Sequence, residues 1–72
     1  MSEKTLNNIR NEAGKLRASG FPFHANLLLD AVDTGKNVAS TVERVAFMLE
    51  RGKRYGEAKR LRDCVKRTTV SV

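Results

Sequence analysis

Pro22-Phe23-His24-Ala25-Asn26-Leu27-Leu28-Leu29-Asp30-Ala31-Val32-Asp33-Thr34 is the stretch whose pattern sets the fold. At about 100° per residue, Ala25, Leu27, Leu28, Leu29, Ala31 and Val32 cover more than half of a helix circumference. Asn26, Asp30 and Asp33 share the narrow remaining face. A helix so broadly apolar is stable in water when it is sandwiched between others, so the segment predicts a helical bundle. Pro22 suits the first turn of this helix, where its missing N–H has no intrahelical partner. Gly20 ends the element before it, and Gly35, in the turn Thr34-Gly35-Lys36-Asn37, ends the helix itself.

Helical spacing continues on both sides. Leu6, Ile9, Ala13 and Leu16 recur at intervals of three and four and form the stripe of a preceding helix. Ser2 is its expected N-cap, with Glu3 at the positive end of the dipole. Val38, Val42, Val45, Ala46 and Leu49 form the stripe of a third helix. Asn37 or Ser40 is its expected cap, and Ser40 with Glu43 has the form of a capping box. Gly52 is expected to close it. A fourth helix, residues 55–68, aligns Tyr55, Ala58, Leu61 and Val65 on its buried side, and the β-branched tail 69–72 is expected to fray. No stretch alternates long enough for a useful strand. The expected fold is all-α: one domain of 72 residues, with four short helices in two antiparallel hairpins.

The halves repeat. At an offset of 33, Ala13 meets Ala46, Leu16 meets Leu49, Ala25 meets Ala58 and Leu28 meets Leu61; Asp30 meets Asp63 and Val32 meets Val65. Such matches predict two stacked helical hairpins. Gly52-Lys53-Arg54-Tyr55-Gly56-Glu57-Ala58 resembles the turn of a tetratricopeptide-type repeat, whose small residue opens the second helix. That resemblance covers residues 6–65 loosely, with Ile9 and Val42 where the family has an aromatic early in its first helix. It implies shared packing of paired helices.

Charge is distributed unevenly. Lys plus Arg number 14 against 8 Asp plus Glu, a formal charge of +6. Arg51, Lys53, Arg54, Lys59, Arg60, Arg62, Lys66 and Arg67 are opposed locally only by Glu57 and Asp63, so this segment holds the entire excess. A localised positive field attracts nucleic acid or acidic protein surfaces. Lys59, Arg62 and Lys66 form one exposed stripe of the fourth helix, and Arg60 and Arg67 another beyond Asp63. Five of the eight cations are Arg, whose planar fork binds phosphate or carboxylate bidentately. Helix three, its glycine turn and helix four also have the form of a helix-turn-helix, but short polar side chains for base edges are few there.

Catalytic and metal chemistry lack their residues. His24 and Cys64 are the only soft ligands, far short of the four that structural zinc requires. His24 is expected at a helix boundary, and Cys64 as a small hydrophobe at the margin of its apolar stripe. No glycine-rich phosphate loop and no paired carboxylates occur. The expectation is a non-enzymatic protein with no cofactor and no metal. A single cysteine, no signal peptide in Met1-Ser2-Glu3-Lys4 and no apolar run longer than Leu27-Leu28-Leu29 predict a cytoplasmic protein that does not enter membranes. Phe47 falls about 140° from Val42 on its helix, and Phe21 and Phe23 flank Pro22 at a turn. These three are the expected protein-interface residues, most simply of a homodimer, because small single cores are often supplemented by association. The leading expectation is a basic regulatory protein that binds DNA or RNA through residues 51–67. The alternative is an adaptor or inhibitor of the phage or plasmid accessory type, docking on a partner protein through the three phenylalanines or the basic face.

Overall fold

The computed structural model describes the backbone of residues 2–69 and side chains as far as residue 65. Four helices follow one another: α1 (Glu3–Ala18), α2 (Pro22–Thr34), α3 (Val38–Arg51) and α4 (Tyr55–Thr69). Of the tail expected to fray, residues 69–72, Thr69 is the last residue of α4, whereas residues 70–72 and the side chains of Lys66 and Arg67 lie outside the described residues. Three-residue links make each consecutive pair an antiparallel hairpin. No described helix is long and apolar enough to cross a membrane.

Both hairpin turns between paired helices are built the same way. At the end of α1, the Phe21 N–H donates to the Leu16 carbonyl (2.8 Å) and the Gly20 N–H to that of Arg17 (3.2 Å). At the end of α3, the Arg54 N–H donates to Leu49 (2.8 Å) and the Lys53 N–H to Glu50 (2.9 Å). These are two Schellman motifs at the repeat offset of 33 residues. Each needs a left-handed residue. Gly20 supplies it in the first, with φ +92°; in the second it is Lys53, with φ +64°, and not Gly52, whose φ is −89°. α3 ends at Arg51 with Gly52 at its C-cap, as expected, and only the left-handed residue falls one position later. A side chain in that conformation costs about 1 kcal/mol. Lys53→Gly should accordingly stabilise the fold by about 0.5–1 kcal/mol, and Gly20→Ala should destabilise it by a similar amount. A Cβ at Gly20 meets no atom within 4 Å, so the second change isolates the backbone effect. Urea denaturation of the two variants checks both signs.

The start of α1 matches expectation: Ser2 Oγ accepts from the Thr5 N–H at 3.2 Å. The start of α3 does not. Asn37 holds the cap position with φ +55° and no side-chain bond to the helix. Ser40 lies inside the first turn and donates its Oγ–H to the Asn37 carbonyl (3.1 Å). No capping box forms, because the cap falls at Asn37 and Ser40 is the third residue of the helix; Glu43 is engaged elsewhere, as described below.

The apolar stripes converge on one core. All eight residues of the four small–large repeat pairs, Ala13/Ala46, Leu16/Leu49, Ala25/Ala58 and Leu28/Leu61, are at most 1% exposed. Alanine at the helix contacts lets the backbones approach, and leucine fills the space between. α2 packs on α1 and α3, with Leu27 and Leu29 half-buried at its flanks. α4 packs on α3 and closes back on α1. Among the described residues no Cα of α1 comes within 8 Å of α3, nor any of α2 within 8 Å of α4. The helices thus form a ring of four, whereas a stack of repeats would lay the first helix of one hairpin on the first of the other. Tyr55 departs from its expected place. It opens α4 beyond the end of the core and is 62% exposed.

Candidate functional site

The eight cations of residues 51–67 divide by their neighbours. Arg62, two turns into α4, reaches back to α3 and joins two carboxylates there. Its Nε donates to Glu43 at 3.0 and 3.2 Å, and its Nη2 to Glu43 Oε1 at 2.8 Å and Glu50 Oε1 at 3.1 Å. Its Nη1 completes the pairing with Glu50 Oε2. Arg60 turns the other way and meets Glu12 of α1 at 3.1 Å, which Lys15 shares at 3.3 Å. Arg54 pairs with Glu57 at 2.7 Å, and its guanidinium lies 5.0 Å from the Phe21 ring centre. Phe21 and Arg54 are equivalent under the repeat, so the two hairpin turns touch each other at one end of the ring. Three arginines counted as candidates for a partner thus brace the bundle.

Three others, Arg51, Lys53 and Lys59, face outward. Arg51 lies 5.9 Å from the centre of the Phe47 ring and makes no ion pair among the described residues. Lys53 and Lys59 are exposed and likewise have no carboxylate partner there. Of the three phenylalanines, Phe47 and Phe23 are open, at 54% and 65% exposure, whereas Phe21 packs against the core. Phe21 and Phe23 both set a ring edge on His24, at 5.3 and 6.1 Å. His24 is half-buried at the start of α2, the boundary place expected for it. Cys64 is buried in the core and forms no disulfide. His24 and Cys64 occupy helices on opposite corners of the ring, so the fold does not bring them together as a pair. No group of three potential metal ligands occurs among the described residues. An open groove of about 320 Å³ between α1 and α4 is polar, lined by Asn8, Asn11, Glu12, Lys15, Arg60, Asp63 and Cys64.

Two features were not anticipated from sequence. One is the exposure of Tyr55. The other is the pair Glu43 and Glu50, seven residues apart and therefore on one flank of α3, whose spacing is the signal for a single long cation between them. No family model, curated protein or solved structure matches this chain.

The ion pairs make the fold acid-sensitive. The hydrogen bond from Arg62 holds the Glu50 carboxyl below the usual range and raises the Arg62 guanidinium in turn. The Glu57 carboxyl is lowered first by its own backbone N–H and then by Arg54. A carboxylate depressed in the folded state contributes stability that is complete above the unfolded value, about pH 4.3, and lost as pH falls through the lower folded one. The urea midpoint should therefore drop below about pH 4.3. In Arg62→Ala that acid limb should be shallower; an unchanged limb would remove the clamp from the account.

Proposed function

We propose that this chain is a non-enzymatic regulatory protein that binds nucleic acid through the surface of α3, α4 and the turn joining them. The observation that carries this reading is the set of outward cations, Arg51, Lys53 and Lys59, that remain after Arg54, Arg60 and Arg62 are satisfied within the fold. Lys66 and Arg67 follow on the same helix and extend the positive segment. Pairing does not alter the net charge of +6, so the long-range field that draws a polyanion is retained. Arg62 meets Glu43 eight residues before the end of α3, so the two helices run side by side. A protruding recognition helix is not the favoured mode, and phosphate contact is. A basic binder with a single unbridged cysteine suits the reducing cytoplasm.

The test is salt dependence. With three to five phosphates neutralised, the slope of log K against log salt should be about −3 to −4.5 on duplex and somewhat shallower on single strands. Absence of binding at low salt to either polymer overturns the reading.

The exposed rings of Phe23 and Phe47 favour a second reading, a protein-docking surface or a homodimer. It predicts that wild type sediments as a dimer at micromolar concentration. Phe47→Asp would then sediment as a monomer with its helicity intact.

A further inference from the structure

All three large exposed hydrophobic side chains of the described chain are aromatic, Phe23, Phe47 and Tyr55. Two of them share a face. Phe47 lies about 40° from Glu43 and about 60° from Glu50 around α3, on the flank turned toward Arg62. Tyr55 lies about 20° from Arg62 around α4, on the flank turned back toward α3. Both rings therefore border the outer side of the α3–α4 seam. Tyr55 opens α4 level with the end of α3, and Phe47 stands one turn below, about 6 Å along the axis. Arg51 lies over the Phe47 ring, and Lys59 follows Tyr55 by one turn. Phe23 heads a different face. It lies about 20° from Asp30 around α2 and has Asn26 and Asp33 on the same side.

We infer that the α3–α4 seam is a single-strand site, on which Tyr55 and Phe47 stack successive unpaired bases while Arg51 and Lys59 hold the flanking phosphates. This rests on the nucleic-acid reading above and narrows its substrate. Cations line a backbone track and flat rings stand open beside it, the combination that single strands use. A duplex keeps its bases stacked on each other and offers these rings nothing to stack on. Charge complementarity also selects the face: the acidic residues around Phe23 repel a polyanion, while at the seam Arg62, Arg51 and Lys59 outnumber Glu43 and Glu50 by three charges to two.

The chain contains one tyrosine and no tryptophan, so its intrinsic fluorescence reports on Tyr55 alone. Unlabelled oligo-dT should quench that emission on binding; a duplex of equal length and heparin should not. In anisotropy titrations at low salt, Tyr55→Ala and Phe47→Ala should each weaken labelled oligo-dT binding by about fivefold or more, since base–ring stacking contributes at least about 1 kcal/mol. Tyr55→Phe and Phe23→Ala should bind like wild type. Circular dichroism verifies that every variant is folded, as expected for exposed side chains. Binding of both polymers without quenching, or equal losses on duplex and oligo-dT, overturns the stacking site and leaves the nucleic-acid reading standing. Failure to bind either polymer overturns both. A wild-type dimer that Phe47→Ala converts to monomer assigns the face to a second copy of the chain and likewise overturns the site.

Discussion

Leu28→Ala and Leu61→Ala should each remove most of the protein's stability while leaving enough folded protein to titrate. Both side chains are fully buried, in α2 and α4 respectively, and they occupy equivalent places in the repeat. Truncating a buried leucine costs about 2–5 kcal/mol, through lost transfer energy and the cavity left behind. A core of this size supplies roughly 3–5 kcal/mol in all, so either change removes most of the margin. The surroundings of the two sites are of one kind, with alanine and leucine pairs at the same offsets, so the two costs should agree within about 1 kcal/mol. Circular dichroism in a urea series measures both. A cost at one site less than half that at the other would show that the hairpins are not energetically equivalent.

The second large effect concerns the proposed partner. Arg51→Glu combined with Lys59→Glu reverses two cations that take no part in an ion pair among the described residues, so the double variant should fold. Its affinity for nucleic acid should fall at least tenfold, and the salt slope should lose about 0.7–0.9 for each phosphate contact removed. The converse change is Glu43→Gln with Glu50→Gln. It releases Arg62 and adds two units of positive charge, so binding should strengthen at low salt while the fold loses stability. Arg62→Glu is a poor probe of the partner, because it would set three carboxylates together and report on folding. Unchanged affinity in a folded Arg51→Glu/Lys59→Glu protein overturns the nucleic-acid reading.

Local order sufficed for the elements. Pro22 and Gly35 bound α2 because one lacks an N–H and the other accepts φ +69°, and both properties belong to the residue itself. The stripes of α1 and α3 were legible because burial follows a 3.6-residue period. Ile9, Ala13, Leu16, Val42, Val45 and Leu49 are all buried as that period requires. Where the stripe runs past the end of the core, as at Tyr55, the same period misplaces a residue, because only the neighbouring hairpin decides where the core stops. The left-handed Lys53 was hidden for a related reason. Packing of α3 on α4 sets the length of the turn, and that gain outweighs the preference for glycine.

What the sequence determined alone was an all-helical chain, its boundaries to within a residue or two, the 33-residue repeat and the location of its excess charge. Each follows from spacing or from side-chain chemistry. The tertiary structure alone decided that the hairpins close as a ring, and which cations remain outward. Glu12, Glu43 and Glu50 are 48, 19 and 12 residues from the arginines they hold. Whether such distant charges meet depends on how the helices pack, and counting charge along the chain does not contain that information.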